Sequence, residues 1–270
     1  MMAVLEATRQ GSRSRSAVAR GRISGWALPT AGGIVVIGLW WLATVVFDID
    51  RFLLPSPVDI AGSLAEQRSY LLEQTWVTLV ETVEGFGLSV LVGVPIAIVI
   101  ASSRLLERTI YPLLLAVNSI PKIAIAPILV VWMGFGQLPK VVMVFLVCFF
   151  PIVISTATGL KSTPTELVEL VRSLKASSGK TFLKVRFPYA LPQVFVGLKV
   201  AISLAVIGAV IGEFVGADAG LGYVIVQSGA SADTSLAFAA MVLLGVISIA
   251  LFYGLVALER RLLPWAEQNQ

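Results

Sequence analysis

The run VFVGLKVAISLAVIGAVIGEFV, Val194–Val215, decides the class of this fold, because Lys199 and Glu213 are the only charges in it. A bilayer core of about 30 Å is crossed by roughly 20 apolar residues in α-helix, so the run reads as a membrane span. Five further runs of the same kind surround it: Ala27–Phe47, Trp76–Ala101, Tyr111–Met133, Val141–Gly159 and Ala237–Leu258. Composition agrees with them. Of 270 residues, 57% are hydrophobic and 13% charged, and there are 23 glycines. A soluble domain carries about 25% charge, so this chain could not cover a water-facing surface. The expectation is an all-α integral membrane protein with six transmembrane helices.

Arg13, Arg15, Arg20 and Arg22 precede the first run in the manner of a signal peptide. The run is longer than the roughly 7–15 residues of a signal core, so a retained anchor is expected. Residues 1–26 read as a disordered basic cytoplasmic tail and 27–265 as the transmembrane domain, with a long loop at 160–193. Basic residues concentrate on the cytoplasmic side of membrane proteins. With the N-terminus inside, the inner segments hold Arg9, Arg13, Arg15, Arg20, Arg22, Arg104, Arg108, Lys161, Arg172, Lys175, Lys180, Lys184, Arg186, Arg260 and Arg261. The outer segments hold only Arg51, Arg68 and Lys140. Both termini are therefore expected in the cytoplasm, and the net charge of +4 needs no nucleic acid to explain it.

Chemistry is largely excluded. There is no His and a single Cys, Cys148, so disulfides, zinc clusters and Cys/His nucleophile pairs are ruled out within the chain. No catalytic residue and no metal site is expected. Gly179-Lys180-Thr181 resembles the tail of a phosphate-binding loop, but Leu174 stands where that loop needs its first glycine. ATP, if used, is bound by another chain.

Small residues recur every four positions, at Gly85, Ser89 and Gly93 in the second run and at Gly208, Gly212 and Gly216 at the end of the fifth. Such stripes let helix backbones approach closely where lipid gives no hydrophobic drive. Pro95, Pro121, Pro127 and Pro151 remove backbone donors inside spans, as transport paths tolerate. Lys122 lies between Pro121 and Pro127, either lining a path for an anion or standing at a polar helix junction. Glu81 and Glu84 sit one turn apart, with Glu213 on another span. They are hydrogen-bonding or solvated groups, or else the relay of a proton-coupled secondary transporter, the main alternative mechanism. For Glu213, flanked by Gly212 and Gly216, a pathway or gate position is favoured. Ser56-Pro57-x-Asp59 reads as the start of a capped helix outside the membrane.

The loop 160–193 carries most of the functional information. Thr163-Pro164-Thr165-Glu166 has the pattern of a capping box, with Leu167, Leu170, Val171 and Leu174 forming one apolar stripe after it. Glu169, Arg172 and Lys175 form the polar face. Ser177-Ser178-Gly179 breaks the helix, and a second short helix is expected over Lys180–Arg186 before Phe187-Pro188 leads back to the membrane. An amphipathic helix in this position either docks a soluble partner or lies on lipid.

Glu169-Leu170-Val171-Arg172-Ser173-Leu174-Lys175-Ala176-Ser177, followed by Phe187-Pro188, resembles the EAA loop of ABC importer permeases. Leu170 and Val171 stand for the motif's alanines and Lys175 for its glycine. Leu54-Pro55-Ser56-Pro57, Ile120-Pro121-Lys122 through Pro127, Trp132-Met133-Gly134 and Gly220-Leu221-Gly222-Tyr223 resemble the nitrate/sulfonate/taurine branch of the type I permeases. That branch includes permeases for pyrimidine precursors of thiamine.

The resemblance implies a multi-pass subunit of the bacterial plasma (inner) membrane, with a coupling helix between the fourth and fifth spans. It implies contact with a cytoplasmic ABC ATPase dimer, which binds ATP and Mg, through Glu166, Glu169, Leu170, Arg172, Ser173, Leu174, Lys175, Ala176 and Ser177. A second permease copy or homologue and an extracytoplasmic solute-binding protein are the other partners implied. Pro121, Lys122, Pro127, Trp132 and Glu213 are candidates for the path of a small anionic or heterocyclic solute.

Overall fold

A computed structural model describes Leu28 and residues 30–265; the tail assigned to 1–26 lies outside the described residues. The described chain is helical throughout. Helix α1 spans Thr30–Val46, α2 Pro57–Glu66, α3 Arg68–Ser102, α4 Arg104–Asn118, α5 Lys122–Met133 and α6 Gln137–Lys161. Then follow α7 Thr165–Ser173, α8 Ser178–Thr181, α9 Phe187–Gly216, α10 Leu221–Ala230 and α11 Thr234–Leu262.

Four helices are long and apolar enough to cross a membrane: α3, α6, the continuous helix Ser178–Gly216, and α11. The pair α4 and α5, bent by 88° at its break, is either a fifth, broken span or a re-entrant loop. The expected third span, Tyr111–Met133, is therefore not one helix. Pro121 has no N–H to give and sits extended at ψ 108° as the residue before α5, so α4 stops at Asn118. Pro95 and Pro151 do not break their helices: both lie inside continuous ones. The run Ala27–Phe47 corresponds to α1, whose described 17 residues are shorter than a full crossing.

Helix α6 is the axis of the bundle, and the two small-residue stripes explain why. A Cβ on Gly85 of α3 would meet the Val144 Cβ at 2.4 Å, and one on Gly208 of α9 would meet the Val144 Cα at 2.9 Å. One residue of α6 is thus held between a glycine on each side. Gly93 faces Ile152 of α6 in the same way, and Gly212 faces Lys140. Ser89 between them is buried and donates both to the Gly85 carbonyl at 2.7 Å and across to the Phe145 carbonyl at 3.3 Å. Gly216 packs on the ring of Phe135, just before α6. Cys148, Ile152, Phe195, Ala201 and Ala205 fill the α6–α9 seam. A second core joins α2, α10 and α11 through Ile60, Leu221, Val224, Ala239 and Ala240.

Ser56 caps α2 as the sequence indicates: its hydroxyl accepts from the Asp59 N–H, and Asp59 accepts in return from the Ser56 backbone at 3.0 Å. Thr163 does not form the equivalent box. Pro164 is extended at ψ 136°, which pushes the start of α7 to Thr165 and leaves the buried Thr163 hydroxyl without a partner.

The second short helix also differs from expectation, because it never ends at Phe187-Pro188. Its residues Phe182–Arg186 form a π-turn that runs directly into α9. The Phe187 N–H reaches back five residues to the Phe182 carbonyl. Proline at 188 lacks an N–H for the Lys184 carbonyl and crowds it, and the wider turn gives that carbonyl room.

Candidate functional site

Helix α7 and its exit form the first candidate surface. Val168 is its one buried residue; Leu167, Leu170 and Leu174 point away from the rest of the chain, and Leu174 is 74% exposed. Glu166, Glu169 and Arg172 are exposed beside them. An apolar stripe of this width normally turns toward a core, and here it finds none among the described residues. Exposed Leu183, on the π-turn, adds to the same apolar material in the segment.

The helix stops in a tight reversal. The Ala176 N–H bonds the Val171 carbonyl at 3.3 Å and the Lys175 N–H bonds the Arg172 carbonyl at 2.9 Å, the paired bonds of a Schellman end. That geometry needs a left-handed residue, and Lys175 supplies it at φ 58°. The position where the EAA pattern has glycine is thus the position where the backbone asks for one. Ser173 donates to the Leu170 carbonyl at 2.7 Å, and Ser177 caps α8 by accepting from Lys180.

The expected path residues divide. Pro127 and Trp132 are exposed on α5, together with Ile123 and Val131, and Pro121 is exposed just before it. Lys122 stands at the break between α4 and α5, not inside a continuous helix. It opens α5 and turns back to cap α4, donating to the Asn118 carbonyl at 2.7 Å and to Asn118 Oδ1 at 2.6 Å. Glu213 is enclosed, with 2% of its surface exposed, and lines no open surface of the chain.

Glu213 instead belongs to a buried polar cluster at the end of the bundle opposite α7. Its Oε1 accepts from Thr78 at 2.7 Å and its Oε2 from the Gly222 N–H at 2.5 Å. Gln74 accepts from the Gly220 N–H at 2.7 Å and Thr78 from the Leu221 N–H at 2.8 Å. Three N–H groups at the start of α10 are thereby satisfied by side chains of α3 and α9, which complement the positive end of that helix. The glycines of Gly220-Leu221-Gly222 are required here: a Cβ at either would collide with the Glu213 carboxylate, and Gly220 has φ 110°. Beside Glu213 lies the ion pair of Lys140 Nζ with Glu81 Oε1 at 2.5 Å, both side chains buried. Glu84 is apart from them, accepting from Gln137 at an exposed position.

Sequence reasoning placed Lys140 in an outer loop and gave Gln74 and Thr78 no role. A signal existed: two acids inside apolar runs call for a basic partner at their own depth, and Lys140 is the outer-side candidate beside the fourth run. Lys199 illustrates the same need, pairing with Glu259 of α11 at 2.8 Å.

Residues 93–265 match the family described as binding-protein-dependent transport system inner membrane component. A probable ABC transporter permease protein of Haemophilus influenzae is 35% identical over 82% of this chain and 90% of its own length. The formylaminopyrimidine transport permease protein ThiX of Halalkalibacterium halodurans is 34% identical over 89% of this chain and 96% of its own. The taurine transport system permease protein TauC of Escherichia coli is 27% identical, covering 87% and 88%. Among solved structures, the inward-facing MetNI methionine ABC transporter shares the fold with a TM-score of 0.65 and 23% identity, over 73% of this chain and 97% of that one. Family match, helical membrane architecture and the loop that carries α7 agree: the chain belongs to the binding-protein-dependent inner membrane component family, as the multi-pass, non-catalytic permease subunit of an ABC importer.

Proposed function

We propose that the chain crosses the membrane six times with both termini in the cytoplasm, and that α7 is the coupling helix, seated in a groove of a cytoplasmic ATPase. Two copies, or one copy with a homologue, enclose a central path toward which α5 presents Pro127 and Trp132. An extracytoplasmic binding protein delivers the solute, and closure of the ATPase pair drives alternating access. The solute is small and either sulfonate-like or heterocyclic. Relatives named for taurine, aliphatic sulfonates, formylaminopyrimidine and riboflavin support that class.

The observation that carries the coupling role is the unpartnered stripe Leu167, Leu170 and Leu174, which is presented on a helix too short to stand alone in water. Burying one such leucine is worth about 1.5–3 kcal/mol, so the stripe holds enough apolar surface to seat a partner. The test is Leu170→Asp and Glu169→Lys in the assembled transporter, with subunit co-purification and solute-stimulated ATP hydrolysis measured together. Leu170→Asp is expected to release the ATPase. Glu169→Lys is expected to keep the complex but lose the coupling of hydrolysis to uptake. Full coupling in both variants would refute the assignment.

A further inference from the structure

The Glu81–Lys140–Glu213 cluster has one charge too many. Lys140 of α6 offers a single positive charge, while Glu81 of α3 and Glu213 of α9 offer two negative ones; Glu81 and Glu213 are each 2% exposed and Lys140 4%. The remaining charge on this face of α3, Glu84, is engaged with Gln137 at an exposed position. Helix α10 brings no charged side chain to the cluster, only its N-terminal N–H groups. Hydrogen bonding sharpens the imbalance. Three of the four carboxyl oxygens have donors: Lys140 for Glu81 Oε1, Thr78 and Gly222 for the two of Glu213. Glu81 Oε2 is buried with no donor, and Glu81 stands one helical turn from Thr78, which donates to Glu213. Two carboxylates beside a single buried ammonium and away from water do not both stay ionised, and a buried acceptor left without a donor is destabilising.

We propose that Glu81 and Glu213 hold one proton between them, so that the three side chains form a neutral unit. The proton supplies the missing donor between the carboxyls and balances the charge against Lys140. It is a resident proton with a positioning role. With it in place, Glu213 can remain against the N-terminus of α10 while Glu81 keeps Lys140, and α10 stays seated on α3 and α9. Close packing of Gly212 on Lys140 and of Gly220 and Gly222 on Glu213 seals the unit, so it does not serve the relay considered for a secondary transporter.

Counting charges gives the test. Glutamine is the isostere of a protonated glutamate and supplies an N–H where the shared proton sat. In the full chain reconstituted in membranes, Glu81→Gln and Glu213→Gln are each expected to keep folded yield within about twofold of wild type. Each leaves one carboxylate to pair with Lys140. The double variant strands a buried ammonium and is expected to lose roughly tenfold or more of the folded protein. Adding Lys140→Met to the double variant removes that charge and restores the yield. Infrared spectra carry an independent readout, a protonated-carboxyl stretch present in wild type and absent from each single variant. Any of four results overturns the proposal: a single variant as damaged as the double, a double variant as stable as the singles, no recovery on adding Lys140→Met, or no protonated-carboxyl band in wild type.

Discussion

Replacing Gly85 with alanine adds one methyl group at the tightest point of the bundle. The new Cβ would stand 2.4 Å from the Val144 Cβ, 2.6 Å from its Cγ1 and 2.7 Å from the Val141 carbonyl oxygen, where ordinary contacts begin at 3.4 Å. Helices α3 and α6 would have to part by about 1 Å over that turn, an overpacking strain worth roughly 1–3 kcal/mol. Two facts place the cost at the upper end. One contact is with backbone, which no rotamer change relieves, and α9 stands behind α6, since Gly208 closes on the Val144 Cα. Alanine recovers up to about 1 kcal/mol of helix propensity, leaving a net loss near 2 kcal/mol and a Tm lower by roughly 4–8 °C.

The molecule carries its own reporter: Cys148, the only cysteine, is fully buried in the α6–α9 seam and reacts with a thiol dye only on unfolding. Gly87→Ala, on the same helix with nothing within 4 Å of its Cβ, is the control and is expected to leave Tm unchanged or raise it slightly. Val144→Ala should not rescue Gly85→Ala, because the Val144 Cβ and the Val141 oxygen both remain. Equal melting of the Gly85 and Gly87 variants, or rescue by Val144→Ala, would refute the packing argument.

Three further outcomes follow from local geometry. Lys175→Gly relieves the left-handed strain at the end of α7 by about 1 kcal/mol and slows amide exchange across Thr165–Ser173, whereas a β-branched residue there speeds it. Lys122→Met leaves the Asn118 carbonyl at the end of α4 uncapped and loosens the elbow at Pro121, costing about 1.5–3 kcal/mol of local stability, seen as faster exchange in α4. Asp59 is held below the usual carboxylate range, chiefly by the Ser56 hydroxyl and backbone and by Arg51 against some desolvation. Its depressed value means the cap contributes fully above about pH 4, the unfolded value, and is lost as pH falls through the folded one. Proteolysis at Pro57–Glu66 should therefore rise at acid pH in wild type, and Asp59→Asn should abolish that dependence.

Much of this arrangement was legible in the sequence, and the remainder failed for definite reasons. The four-residue spacing of Gly85, Ser89 and Gly93 identifies a face, but spacing along one helix says nothing of its neighbour; only the fold shows that both stripes meet α6. Ser56 and Thr163 carry similar capping patterns, yet only Ser56 caps. The chain leaves α6 through Ser162 and enters α7 three residues later, and that short path sets Pro164 extended whatever the local preference. Hydropathy treated Tyr111–Met133 as one span because an elbow at Pro121 changes direction without changing polarity. Lys140 fell outside the runs because a charge at the end of an apolar stretch reads as loop, although pairing with Glu81 makes it interior.

Val144, held between two glycines, has a consequence for movement. At Gly85 and Gly208 neither glycine puts a side chain between its helix and α6, so at that turn α3, α6 and α9 pack as one slab. The segment Thr165–Arg186 is tethered to that slab at both ends, by the last turn of α6 and the first of α9. Both tethers therefore lead into the same packed body, which α6 extends for roughly 37 Å. The chain turns sharply elsewhere, at the elbow between α4 and α5.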